Sequence, residues 1–163
     1  MAKLYLMMGV PGSGKSTWIK NHMFPCQVHV SRDKIRFALV DEGEEYFSRE
    51  TEVFNSFVEQ INTFLSAGYD VYADATHISK ASRNKVLSKI NSHPEEINLI
   101  WINGGLTTAL LQNEERRDTR SYVPKSVIRR MNAQIEAPDF EEGFNVIYEV
   151  NPQTGVVKER RQF

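Results

Sequence analysis

Short unbroken apolar runs alternate along this chain with stretches in which apolar residues recur every three or four positions. The first run, in KLYLMM from Lys3 to Met8, stops at Gly9. A strand buried on both faces of a parallel sheet reads this way. A helix is expected from about Lys15 to the Phe24-Pro25 break, which proline cannot continue. Gln27 to Val30 reads as a second strand. Ser31 then caps a helix to about Val40, with Asp33 in its first turn. From about Ser48 to Ala67, the residues Val53, Phe54, Phe57, Val58, Ile61, Phe64 and Leu65 share one helical face, which Gly68 closes. Tyr69 to Asp74 is a third strand ending in a carboxylate. A helix near Ser79–Ser92 and a strand near Ile97–Ile102 follow. Another helix is expected from about Thr107 into the Arg-rich stretch Asn113 to Arg120. Pro124 opens a further one with Val127, Ile128, Met131 and Ile135 on one side. Phe144–Val150 and Val156–Glu159 flank NPQTG and read as a closing hairpin. The alternation predicts an α/β fold with a mostly parallel central sheet flanked by helices.

The 163 residues suit one domain over 1–163, and 25% charged residues is an ordinary globular share. A net charge of −1 excludes a basic protein that coats long stretches of nucleic acid. It leaves room for a local basic pocket that takes one nucleic-acid end. Cys26 is the only cysteine, so neither an internal disulfide nor a Cys-rich zinc site is available. His22, His29, His77 and His93 show no metal-ligand spacing. No apolar run approaches the roughly 20 residues of a membrane span, and the apolar start meets glycines and Lys15 at once. A soluble, cytoplasmic protein is expected.

Residues 9 to 17 read GVPGSGKST, the phosphate-loop pattern in its proper context of strand before and helix after. Its glycines let backbone N–H groups turn onto phosphate oxygens, and the helix N-terminus adds its positive dipole end. Gly9, Pro11, Gly12, Ser13, Gly14, Lys15, Ser16 and Thr17 are therefore expected to hold ATP. Lys15 would reach the β- and γ-phosphates, and Ser16 would ligate Mg²⁺. GTPase features are missing: no Asp-x-x-Gly occurs, and Asn84-Lys85 is followed by Val86-Leu87. A small phosphotransferase fits the length best.

A kinase acting on an alcohol needs a base for the hydroxyl proton. Asp33 opens the helix after the second strand, and Arg36, three residues on, shares its face. A carboxylate beside a guanidinium suits an acceptor that is itself anionic. The plain alternative is an acid complementing the helix dipole in an ordinary ion pair. Asp74 ends a strand where phosphate-loop proteins often carry an acid acting on Mg²⁺, and Thr76 lies two residues later. Each can instead serve as local capping. Arg116, Arg117 and Arg120, in NEERRDTRSYVP, suit a lid over about 113–123 that closes on ATP and neutralises the transferring phosphoryl group. Their alternative is a solvated helix paired with Glu114, Glu115 and Asp118. Phe47, Phe54, Phe57 and Phe64 read as core rather than as a base-stacking platform.

Together these segments resemble the 5′-hydroxyl polynucleotide kinase family, in particular the kinase domain of phage and bacterial polynucleotide kinase-phosphatases. The resemblance rests on GVPGSGKST, on Ser31-Arg32-Asp33-x-x-Arg36, on Asp74-Ala75-Thr76 with Arg83 downstream, and on the Arg-rich stretch leading to Val123-Pro124. Pro138-x-x-x-Glu142-Gly143-Phe144 adds to it. It implies ATP and Mg²⁺ at Lys15 and Ser16, Asp33 as general base on a 5′-OH of DNA or RNA, and Arg36 on the acceptor's phosphate. It further implies support of the acceptor site by Asp74 and Thr76, and ATP contacts from Arg116 and Arg120. His77 stands where many relatives have asparagine. No Asp-x-Asp phosphatase motif occurs, so no 3′-phosphatase activity is expected. A small-molecule kinase on the same fold, acting on a nucleoside, sugar or antibiotic hydroxyl, is the alternative. A nucleotide-dependent switch would need no hydroxyl base.

Overall fold

The structure is a computed structural model and describes residues 2–162. Six strands form one sheet: β1 (Lys3–Met8), β2 (Val28–Ser31), β3 (Val71–Asp74), β4 (Glu96–Ile102), β5 (Val146–Val150) and β6 (Val157–Arg161). Their spatial order is β2-β3-β1-β4-β5-β6. The first five are parallel, and β6 returns antiparallel to β5. The helices are α1 (Lys15–His22), α2 (Arg32–Leu39), α3 (Glu50–Ser66), α4 (Lys80–Leu87), α5 (Leu106–Glu115) and α6 (Lys125–Ala133). A 3₁₀ turn spans Phe140–Glu142.

The apolar runs are buried because both faces of the sheet are covered. On one face Leu4, Leu6, Met8, Ala73 and Leu99 pack against Val53, Phe57, Val58, Ile61 and Leu65 of α3. On the other, Met7, Tyr72, Ile100 and Ile102 meet Ile19 and Trp18 of α1. Alternation along β1 therefore assigns Leu6 and Met7 to opposite layers. A smaller cluster of Val10, Ile78, Ala109 and Ile128 ties α5 and α6 to the end of β1.

The chain leaves β1 toward β2 and β3 on one side and later fills the other side with β4 and β5. Loops on the two sides thus diverge at the carboxyl end of β1 and leave a crevice there, where ligands sit in open parallel sheets. Gly9, Asp33, Asp74 and Gly104 all follow or end strands at that edge.

The expected elements are present, several of them shorter than their sequence pattern. α1 stops at His22, and α4 stops at Leu87 rather than Ser92. α5 ends at Glu115, so Arg116 to Arg120 are not helical and share no helix face. Asp118, Thr119 and Ser121 favour turns, and the Thr119 hydroxyl donates to the Arg116 carbonyl at 2.7 Å. Among the described residues, no helix is long and apolar enough to cross a membrane.

Candidate active site

The loop between β1 and α1 packs closely against α5. A Cβ at Gly12 would run into the Ala109 carbonyl oxygen. Gly14, at φ +99°, is the N-cap of α1, and no side chain caps that helix start. The first N–H groups of α1 are thus left for an anion, as phosphate binding requires. Lys15 Nζ donates to the carbonyls of Gly9 at 2.8 Å and Val10 at 3.0 Å. Burial lowers its pKa, against the raising effect of Asp74 and Asp33.

The Ser16 hydroxyl donates to Asp74 Oδ2 at 2.6 Å, and His29 Nε2 lies 2.8 Å from the same oxygen. Burial opposes the charged form of Asp74. Hydrogen bonds from His29 and Ser16, with the charge of Lys15, outweigh it and hold the carboxyl below the usual range. A hydroxyl in the first turn of α1 and a buried carboxylate at the end of β3 are hard oxygen donors of the kind that Mg²⁺ takes alongside phosphates and water. The uncapped helix start and this pair fit a nucleoside triphosphate with Mg²⁺. Among the described residues, no group of three or more His, Cys, Asp and Glu gathers as a metal site of its own.

Asp33 and Arg36 meet on the opposite wall. Ser31 Oγ accepts the Lys34 N–H at 3.2 Å and fixes the start of α2, so Asp33 projects from its first turn. Arg36 Nη1 donates to Asp33 Oδ1 at 2.5 Å. Its Nε and Nη2 form a fork on Glu50 at 2.8 and 2.6 Å. Burial works against the Arg36 charge, but the Glu50 hydrogen bonds prevail and raise its pKa. The Tyr46 hydroxyl donates to Asp33 Oδ1 at 3.1 Å and accepts from Arg36 Nη1 at 3.2 Å. Burial, then the Asp33 charge, push the Tyr46 phenol up to about 12. The Asp33 side chain itself remains 56% exposed.

Thr76 lies between the two walls, and its carbonyl accepts the Gly9 N–H at 2.9 Å. His77 follows with φ +43°, buried, its ring Nδ1 2.6 Å from the Met7 carbonyl. Asparagine, aspartate and histidine are the non-glycine residues that enter this left-handed backbone most readily. Arg83 is wholly buried: it donates to Glu142 at 2.7 Å and to the carbonyls of His77 at 2.9 Å and Glu136 at 3.0 Å. Arg83 and Glu142 therefore brace the loop after β3 from behind.

The arginines after α5 have separate surroundings. Arg116 lines the cleft, where burial lowers its pKa against the pull of Asp33. Arg117 pairs with Glu114 at 3.0 Å in solvent. Arg120 donates to the carbonyls of Phe37 at 3.2 Å and Val40 at 2.8 Å, capping the end of α2. The buried Asn113 holds both ends of the turn, donating to the Val123 carbonyl at 2.7 Å and accepting its N–H at 3.1 Å.

One cleft of about 660 Å³ thus gathers Pro11, Gly12, Gly14, Lys15, Ser16, Thr17, Asp33, Arg36, Asp74, Thr76 and Arg116. Gly9, Ser13 and Arg120 are not among its lining residues. Tyr46 and Glu50, which the sequence does not single out, also line it, as do Arg32 and Phe47, the latter expected in the core. The cluster of acids between residues 41 and 52 was the one signal that pointed there, and it did not single out Glu50.

Residues 4–138 match the family model described as the AAA domain. The chain belongs to the AAA domain family. This AAA domain has the P-loop kinase fold. It is similar to a chain of the Pnkp1/Rnl/Hen1 RNA repair complex, at 23% identity and TM-score 0.69, over 82% of this chain and 43% of that one. Kti12 of Chaetomium thermophilum, solved with ADP-AlF3, matches at 16% identity and TM-score 0.62, over 90% of this chain and 88% of that one. A gluconokinase from Sinorhizobium meliloti 1021 matches at 15% identity and TM-score 0.60, over 90% and 82%. The AAA domain described here spans less than half the length of the RNA repair chain it matches.

Proposed function

We propose that the chain is an ATP-dependent kinase that transfers the γ-phosphoryl group to the 5′-hydroxyl end of DNA or RNA. The observation that carries this reading is the placement of Asp33, with its carboxylate partly open to solvent, in one cleft with Lys15 and Ser16. Asp33 accepts the proton of the attacking hydroxyl, which displaces ADP in line. Lys15 leaves the Gly9 and Val10 carbonyls for the β- and γ-phosphates. Ser16 and Asp74 would hold Mg²⁺, which would neutralise charge on those phosphates. Arg36 holds the acceptor's phosphate beside Asp33, with Thr76 near the same group. The turn at 113–123 acts as a lid that brings Arg116 onto the transferring group. An RNA repair complex among the similar structures is in keeping with a nucleic-acid acceptor.

A second reading, a small-molecule kinase, is favoured by one feature. Glu50, Asp33 and Tyr46 take four of the five N–H donors of Arg36, so an acceptor phosphate finds one on Nη2 unless it displaces a partner. A neutral alcohol makes no such demand. ATP labelled in its γ-phosphate, offered with 5′-OH DNA, 5′-OH RNA, a 3′-nucleotide, free nucleosides and gluconate, separates the two. Label on the oligonucleotides and 3′-nucleotide alone supports the first reading, and label on gluconate or nucleosides alone replaces it. Asp33→Asn should cut turnover by about 10²–10⁴ with ATP binding kept, and undiminished turnover removes Asp33 as base.

A further inference from the structure

Phe54 and Phe57 are buried at 6% and 0% exposure, as core residues should be, but Phe47 is 52% exposed. Phe47 also lines the cleft, amid the charged groups of Asp33, Arg36 and Glu50. An apolar ring left open in a charged cleft stays in water unless a ligand covers it. The ring is nonetheless fixed. The Tyr46 ring meets it at right angles with centroids 4.7 Å apart, and the Arg36 guanidinium lies 5.4 Å from its centroid. Tyr46 in turn donates to Asp33, so the open ring stands one residue from a group touching the candidate base. Phe47 has no hydrogen-bonding group with which to reward a polyol. It rewards a flat, apolar face, which every nucleobase has and which stacks without regard to base identity.

We infer that Phe47 is the stacking platform for the base of the nucleotide whose 5′-hydroxyl is phosphorylated, which makes it a specificity-determining residue for nucleobase-bearing acceptors. The inference rests on the polynucleotide kinase reading and narrows it. Arg36 then links the two halves of the acceptor: its guanidinium serves the phosphate and stiffens the ring that holds the base. The same guanidinium lies 4.8 Å from the Tyr46 ring centroid, so both rings and the charge pack as one cluster.

The test compares a 5′-OH oligonucleotide with the same strand made abasic at its 5′-terminal residue. On the wild-type protein, removal of the base should raise KM about tenfold, within the range of base–aromatic stacking, and this arm needs no variant. Phe47→Ala should raise KM for the intact strand by a similar factor and be indifferent to base removal, and Phe47→Trp should restore the wild-type pattern. Equal KM for intact and abasic ends in the wild type overturns the inference alone. So does a Phe47→Ala variant that is still sensitive to base removal, or one equally impaired on abasic ends, since the ring would then serve the sugar or the fold. A wild-type protein that phosphorylates no oligonucleotide overturns the polynucleotide reading, and this inference with it.

Discussion

Glu50 supplies both oxygens of a fork to Arg36, and Arg36 carries that order to Asp33. Glu50→Gln keeps the shape but not the charge, so one guanidinium edge loses its charge-assisted partner. The expected cost is about 1.5–3 kcal/mol of stability, measured by denaturant unfolding. In the kinase reading, kcat/KM for the acceptor should fall about tenfold or more while ATP affinity holds, because Lys15 and Ser16 do not touch Glu50. A loss confined to ATP affinity would remove Glu50 from the acceptor wall. The phosphate loop was legible in the sequence because its chemistry is packed into nine consecutive residues. Asp33 and Arg36 were legible because three residues separate them on one helix. Glu50 and His29 were not, since their contacts cross 14 and 45 residues of chain, and no spacing rule reaches that far. Grouping Phe47 with Phe54, Phe57 and Phe64 on one helix predicts a core residue, whereas α3 begins only at Glu50 and the loop before it leaves Phe47 open.

Among the elements, the turn between α5 and α6 departs most from its sequence pattern. Charged residues at helical spacing suggested a continuing helix, but Asn113 pins Val123 and the intervening residues turn back. The turn separates two arginines that the pattern had paired. Arg116 faces the cleft, whereas Arg120 caps α2, the element that carries Asp33. Their substitutions should therefore differ in kind. In the kinase reading, Arg116→Ala should lower kcat by about 10³-fold or more with little change in melting temperature, as expected for an arginine that stabilises the transferring group. Arg120→Ala should cost about 1 kcal/mol, seen as a fall of about 2–4 °C in Tm, with a smaller loss of turnover. Matching losses of kcat and unchanged Tm for both would mean that Arg120 also reaches ATP. Strand boundaries, by contrast, were legible almost to the residue where apolar runs end in glycine or aspartate, as at Met8 and Asp74.

On the scale of the whole molecule, His77 couples the fold to acidity. Burial pushes its imidazole down to about 4, so the native state keeps it neutral over a range where the unfolded chain, at 6.5, takes up a proton. Its contribution to stability is complete above pH 6.5 and is lost as pH falls toward 4, by about 3 kcal/mol in all. His77→Asn, which suits the left-handed backbone, should flatten the slope of unfolding free energy between pH 6.5 and 4 without moving the carboxylate titrations below it. An unchanged slope in that variant would assign acid lability to other groups. The parallel architecture and its crevice were foreseeable from alternation alone, while the order of strands was not, because apolar runs of equal character do not say which neighbour each will take.

The outermost strand shows how such a sheet survives in a crowded solution. Every residue of β6 from Val157 to Arg161 is exposed, and four of the five carry charge. The strands within are nearly continuous hydrocarbon, the raw material of fibres, and an open rim beside them would recruit further copies. Lysine, glutamate and two arginines on that rim make each approaching copy strip water from ions before it can pair, so growth by stacking is halted at its first step.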